Sequence, residues 1–221
     1  MEISIARLYA DGQARFAALF RSLDADQLQT SVPACPEWTV RDVLSHVAGI
    51  TDDVANGRIA GAGTDPWTAS QVERNRELPV DELLARWDDQ TGPVSELFEQ
   101  FEQVRPVIDV ETHRQDVRAA LGLPAERDTP IVHLAATALV ESLEHPVRVE
   151  LGHDVLASPT APDAGVEPIM LRGATAFDVM RSRLGRRSRE QVLAYDWSAD
   201  PKDIVDVWFS FGPATEDIAE P

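Results

Sequence analysis

Apolar residues return every three or four positions along most of the chain to about residue 145, the spacing of one buried helical face. Ile5, Leu8, Phe16, Leu19 and Leu23 predict a helix over Ile3–Leu23, followed by a short turn segment, Asp24–Thr30. Next comes PACPEWTVRDVLSHVAG, Pro33–Gly49. Its two prolines bracket an extended turn, because proline fixes its own φ and drives the preceding residue out of the helical region. Trp38 is an apolar anchor and Thr39 a helix cap. Val40, Val43, Leu44, Val47 and Ala48 form the stripe, with His46 on its edge; Gly49 offers a stop, and the pattern extends to about Asn56. Ile59–Pro66 is a glycine-rich loop, and Ser70–Arg76 a polar helical segment. Pro79 opens a helix through Leu83, Leu84, Trp87, Val94, Leu97, Phe98 and Phe101, with a kink expected at Gly92–Pro93. Val107–Leu121 is a further helix stopped by Gly122-Leu123-Pro124, and Pro130–His145 is the next, ended by Pro146.

After Pro146 the pattern changes. Val147, Val149 and Leu151 alternate with Arg148 and Glu150, a strand signal. Ser158–Gly165 reads as a connection, Val166–Leu171 as a second strand and Ala174–Leu184 as a helix with Phe177, Met180 and Leu184 inward. A turn at Gly185–Ser188 leads into a short polar helix; Val205–Phe211 suits strand or helix, and the tail from Pro213 is acidic. The expected architecture is mainly α: a helical bundle over residues 1–146 and a small mixed α/β C-terminal lobe over 147–221.

The net charge is −18 and the pI about 4.5, which repels nucleic-acid phosphates and anionic lipid, so neither is expected as a partner. The single cysteine, Cys35, excludes an intramolecular disulfide and agrees with a reducing, cytoplasmic setting. No signal peptide or membrane-spanning stretch is evident.

Asp109 and His113 stand four apart on one predicted helix, so they share a face one turn apart. With His46 from a second helix they supply two nitrogens and one oxygen, a set that suits catalytic zinc with an open position, and bundle cores build metal sites this way. The same spacing also describes a plain surface pair, and His46 alone a core histidine. Glu141 and His145 stand at the same interval, and spacing does not choose between the pairs. His145 near a helix end also suits the helix dipole. His133 and His153 have no partner at a telling spacing. Cys35 lies between two prolines with Glu37 close by, which favours a small turn residue over a nucleophile.

PACPEWTVRDVLSHVAG resembles the first signature of the mycothiol-dependent maleylpyruvate isomerase family, within the DinB-like (damage-inducible) superfamily. DVETHRQDVRAALGLP, Asp109–Pro124, resembles its second signature, and LGRRSREQVLAYDW, Leu184–Trp197, its C-terminal lobe. The resemblance implies a DinB-like up-and-down bundle of four helices holding a metal, usually zinc, through a histidine at the end of the first signature and a Glu-x-x-x-His pair. By position these are His46, Asp109 and His113, which selects this pair over Glu141 and His145. The chain departs from the pattern in having aspartate for glutamate, one methylene shorter.

The family's chemistry implies mycothiol as thiol cofactor. Its thiolate adds to the double bond of maleylpyruvate, the adduct rotates, and elimination gives the trans isomer. Related thiol S-transferases use the same activated thiolate on other electrophiles. An anionic substrate calls for cations, for which Arg114, Arg118, Arg186 and Arg187 are the candidates; Asp116 is a candidate to orient a ligand histidine. The expected partners are therefore a small-molecule substrate and the thiol, and the chain is compatible with a homodimer. The alternative is a DinB-like metal-binding or stress-response module without turnover, which the shortened Asp109 favours.

Overall fold

The computed structural model describes residues 4–160 and 167–221 and divides into two compact units, Met1–Ala125 with Glu220–Pro221, and Glu126–Ala219. In chain order the first holds α1 (Ile5–Arg21), α2 (Ala25–Leu28), β1 (Ser31–Val32), β2 (Cys35–Thr39), α3 (Val40–Ala55), α4 (Asp65–Asn75), α5 (Val80–Gln100) and α6 (Arg105–Ala120). Helices α1, α3, α5 and α6 are the four-helix up-and-down bundle, with α1 and α3 each packed on both α5 and α6.

Helix starts follow local chemistry. The Ser4 side chain accepts from the Arg7 amide at 3.2 Å, and Thr39 accepts from the Asp42 amide at 3.2 Å while Asp42 accepts from the Thr39 amide at 3.0 Å. Each pairing satisfies amides that the first turn leaves open. The bundle core is Phe16, Phe20, Val43, Leu44, Val47, Leu83, Leu84, Trp87, Val94, Phe98, Val107, Val110 and Val117, all buried. Helix α3 passes through Gly49, so that glycine is not a stop, and α5 passes through Gly92 and Pro93 as one helix. The PACPEWT turn forms a two-stranded antiparallel hairpin ahead of α3.

The second unit holds α7 (Pro130–Glu141), β3 (Val147–Leu151), β4 (Asp154–Ala157), β5 (Ile169–Arg172), α8 (Ala176–Arg183), α9 (Arg189–Leu193), β6 (Asp196–Trp197) and α10 (Lys202–Trp208). Its sheet runs β4-β3-β5-β6, with β3 and β5 parallel and the outer pairs antiparallel. The boundary expected after residue 146 falls inside this unit, because α7 packs on α8, and Arg183 Nε donates to the Leu139 carbonyl at 3.2 Å. Of the Val205–Phe211 segment, Val205–Trp208 is helical, with Val205 and Trp208 buried and Trp208 edge-on to Trp197. Residues 161–166, which include most of the expected Ser158–Gly165 connection and the start of the second predicted strand, lie outside the described residues, as does Ile3. No helix is long and apolar enough to cross a membrane among the described residues.

Candidate metal centre

The two signature helices bring the predicted residues together in the first unit. His46 lies on α3, 4% exposed, and His113 on α6, 7% exposed. His46 Nε2 is 3.6 Å from Asp109 Oδ2, and His113 Nε2 is 3.6 Å from Asp109 Oδ1. One carboxylate therefore spans both imidazoles, even though aspartate is the shorter acid. Donor atoms of the three residues lie within 4.8 Å of one another. Trp38, half-buried at the end of the hairpin, packs against both rings, with centroids 5.0 Å from His46 and 5.8 Å from His113.

The hydrogen-bond network around α4 fixes one ring hydrogen of His46. Asp53 on α3 is 1% exposed and accepts from Arg58 Nε at 2.8 Å and an Arg74 terminal nitrogen at 2.5 Å. A carboxylate held by two guanidinium groups only accepts. Gln71 Nε2, 2.9 Å from Asp53 Oδ2, must therefore be the donor there, which turns Gln71 Oε1 toward His46 Nδ1 at 2.8 Å. An amide oxygen only accepts, so His46 Nδ1 carries a hydrogen, and Nε2 is the nitrogen that faces Asp109. In His113 both nitrogens face carboxylates: Nδ1 lies 3.2 Å from the buried Asp116 Oδ2, and Nε2 faces Asp109.

Two imidazole nitrogens and a carboxylate converge in consequence. With both nitrogens deprotonated, such a set is repulsive until a cation enters, whether a metal ion or protons. For tetrahedral zinc with bonds of about 2.0–2.2 Å, neighbouring donors stand about 3.4 Å apart. The two 3.6 Å separations fit that spacing to within a few tenths of an ångström. The donor set thus suits zinc or a similar divalent ion.

The close approach of α4 that delivers Gln71 depends on Gly49. A Cβ at Gly49 would stand 2.7 Å from Gln71 Cβ and 3.0 Å from Asn75 Nδ2, a clash. The glycine inside α3 is thus the small residue that lets α4 lie against it.

Sequence reasoning missed Gln71 and Asp53. Both are polar residues on polar stretches, and the one available signal was the unexplained glycine within a strong helical stripe. Asp116 stands where it was expected, beside His113. Cys35 Sγ lies 4.0 Å from His113 Nδ1 and 3.9 Å from Asp116 Oδ2, beside the site rather than among its three donors. The candidate cations are otherwise engaged. Arg114 is buried against Glu111 at 2.8 and 3.0 Å, and Arg118 donates to the Pro124 carbonyl at 2.6 and 2.9 Å. Arg186 and Arg187 belong to the second unit, where they donate to the Leu184 and Arg186 carbonyls. Glu141 ends α7 and His145 lies beyond it, so this alternative pair does not share a helical face. His133 is exposed and hydrogen-bonded to Asp128 at 2.6 Å, and His153 sits in the exposed β3–β4 turn.

The fold is similar to the crystal structure of a histidine-to-alanine mutant of the mycothiol-dependent maleylpyruvate isomerase: TM-score 0.58, 14% identity, 88% of this chain and 92% of that one covered. It is likewise similar to the crystal structure of the mycothiol-dependent maleylpyruvate isomerase, at TM-score 0.51 and 13% identity over the same shares of each chain. Comparison with curated proteins returns no match. The sequence model of the mycothiol maleylpyruvate isomerase N-terminal domain matches residues 9–129, a span that holds the whole donor set and both signatures. With that match covering more than half of its length on a DinB-like bundle, the chain belongs to the mycothiol maleylpyruvate isomerase family.

Proposed function

We propose that this chain is a metal-dependent enzyme, with zinc as the metal its donor set suits. It uses a low-molecular-weight thiol, mycothiol, for isomerisation of, or thiol transfer to, a small electrophilic substrate of the maleylpyruvate kind. The observation that carries this reading is the convergence of the Nε2 atoms of two buried histidines on Asp109, with Gln71 and Asp116 partnering the far ring nitrogens. His46, Asp109 and His113 would hold the ion, which when bound supplies a Lewis acid that lowers the pKa of a coordinating thiol. Three protein donors leave a position free, the pattern of catalytic rather than structural zinc. Gln71 and Asp116 keep each imidazole in its ligating tautomer and raise its basicity. Trp38 shields one side of both rings from bulk water.

The test is elemental analysis of the purified protein, followed by an assay with maleylpyruvate and mycothiol that follows formation of the trans isomer and, separately, consumption of thiol. A full equivalent of zinc, lost in His113→Ala and in His46→Ala, is the expected result. Absence of zinc after incubation with the ion, or full retention in either variant, overturns the assignment.

One observation favours a second reading, a DinB-like module that binds metal without turnover. Arg114 and Arg118 of the second signature are tied to Glu111 and to the Pro124 carbonyl, so neither stands ready for an anionic substrate. Zinc-loaded protein that neither isomerises an unsaturated acid in the presence of mycothiol nor consumes thiol with any other electrophile would put this reading first.

A further inference from the structure

A second group of donors backs onto the first. Strand β1 packs on α6, and its partner β2 begins with Cys35, which lies over the helical face that carries His113 and Asp116. Cys35 Sγ stands 4.0 Å from His113 Nδ1 and 3.9 Å from Asp116 Oδ2, and those two atoms are 3.2 Å apart. Donor atoms of these three residues, like those of the first set, lie within 4.8 Å of one another. We infer that Cys35, Asp116 and the Nδ1 side of His113 form a second cation site, selective for a thiophilic divalent ion. It shares His113 with the set made by His46 and Asp109. The inference goes beyond the function proposed above and does not need the first set to be filled.

The geometry suits a tetrahedral ion. With bonds of about 2.3 Å to sulfur and about 2.0–2.2 Å to nitrogen and oxygen, sulfur stands about 3.6 Å from the other donors, and nitrogen and oxygen about 3.4 Å apart. The observed separations differ from these by a few tenths of an ångström. An imidazolium between two acids would account for the row Asp109–His113–Asp116, but not for a sulfur nearly equidistant from Nδ1 and Oδ2, where it closes a triangle of donors. His113 turns one ring nitrogen to each acid, so each nitrogen can serve a different ion. The thiolate is the soft donor that sets this group apart from the first, and it favours zinc, cobalt or cadmium over magnesium or calcium. With both sets filled, the Cys35 thiolate, Asp109, Asp116 and a bridging His113 imidazolate balance the charge of two divalent ions. The hydrogens displaced are those of the Cys35 thiol and the last His113 ring nitrogen, and both leave to solvent. The second ion therefore binds more weakly than the first: purified protein carries metal at the first set, and the second fills on addition. His113 and Asp116 are buried, while Cys35 is half-buried and gives the ion its way in.

The probe is cobalt(II), titrated into metal-free protein with a phosphine reductant and no thiol, and followed by equilibrium dialysis and near-ultraviolet absorption. Cys35 is the sole cysteine, so a thiolate-to-cobalt charge-transfer band reports on it alone. A first equivalent without the band and a second with it are expected. Cys35→Ser should keep the first equivalent and lose both the second and the band. His46→Ala, which takes a donor from the first set only, should still develop the band. One measurement needs no variant: a second equivalent of zinc should slow alkylation of wild-type Cys35 by iodoacetamide about tenfold or more, because the metal occupies the reacting sulfur. No second equivalent at millimolar cobalt, a second equivalent without the band, or alkylation that zinc does not slow overturns the inference. So does a band that arrives with the first equivalent or vanishes in His46→Ala, since Cys35 would then be a ligand of the first ion. The two readings fail separately. A band in His46→Ala, beside zinc-loaded wild type that neither isomerises nor consumes thiol, leaves this site standing and refutes the proposed function. Wild type that isomerises maleylpyruvate with one equivalent of zinc and never takes up a second refutes this site alone.

Discussion

At the scale of single residues, the site is governed by where hydrogens sit. His46 turns Nε2 toward Asp109 because Gln71 accepts from its other nitrogen, and Gln71 does so because Asp53 accepts from its amide nitrogen. Gln71→Leu removes the acceptor and is expected to weaken zinc binding about 10–100-fold, measured by chelator competition. Asp53→Asn tests the chain of cause one step back. An amide in place of the carboxylate lets Gln71 turn either way, so nitrogen NMR of the metal-free protein should show His46 as a mixture of tautomers where the wild type shows hydrogen at Nδ1 alone. Unchanged tautomer signals in Asp53→Asn would refute the relay. His46, Asp109, His113 and Asp116 were legible in the sequence because they fall within the two signatures, whose resemblance favoured Asp109 and His113 over the equally spaced Glu141 and His145. Gln71 and Asp53 were not, because their roles depend on a contact between two helices.

At the scale of elements, α3 is the piece on which the site depends. Its first turn is closed by the reciprocal Thr39–Asp42 bonds, and Asp42 also accepts from Arg76 Nε at 3.2 Å. Burial alone would raise the Asp42 carboxyl, but bonds from the Thr39 amide, the Thr39 hydroxyl and Arg76 outweigh it and hold it below its ordinary value of 3.8. A carboxyl held low in the folded chain adds stability that is fully present above the unfolded value and is lost as pH falls through the lower folded one. Amide-exchange protection of the first turn of α3 should therefore fall on acidification below about pH 3.8, and in Asp42→Asn that step should vanish. An acid step of the same size in Asp42→Asn would show that another group carries it. The cap was readable in advance, since Thr39 and Asp42 stand in sequence order at the right interval. Gly49 was readable only as a stop; the helix runs through it because the missing side chain makes room for Gln71.

At the scale of the whole molecule, charge is the dominant fact. A net −18 favours the approach of a divalent cation and opposes that of a dianionic acid. Salt screens both effects, with a Debye length of about 10 Å at 0.1 M. Raising ionic strength should therefore increase kcat/KM for an anionic substrate while slowing zinc uptake, and stopped-flow measurement of both distinguishes this from a general salt effect, which would move them together. Length, composition and periodicity by themselves determined the mainly α class, the four bundle helices and the switch to alternating strands after Pro146, because each is encoded within a few turns of chain; the expected donors came from the resemblance of the two signatures. Only the tertiary structure decided the rest: that Asp109 reaches both histidines despite its length, that α4 orients His46, that Arg114 and Arg118 are occupied, and that α7 joins the second unit. Those outcomes depend on which surfaces approach within a few ångströms, and no interval along the chain records that distance.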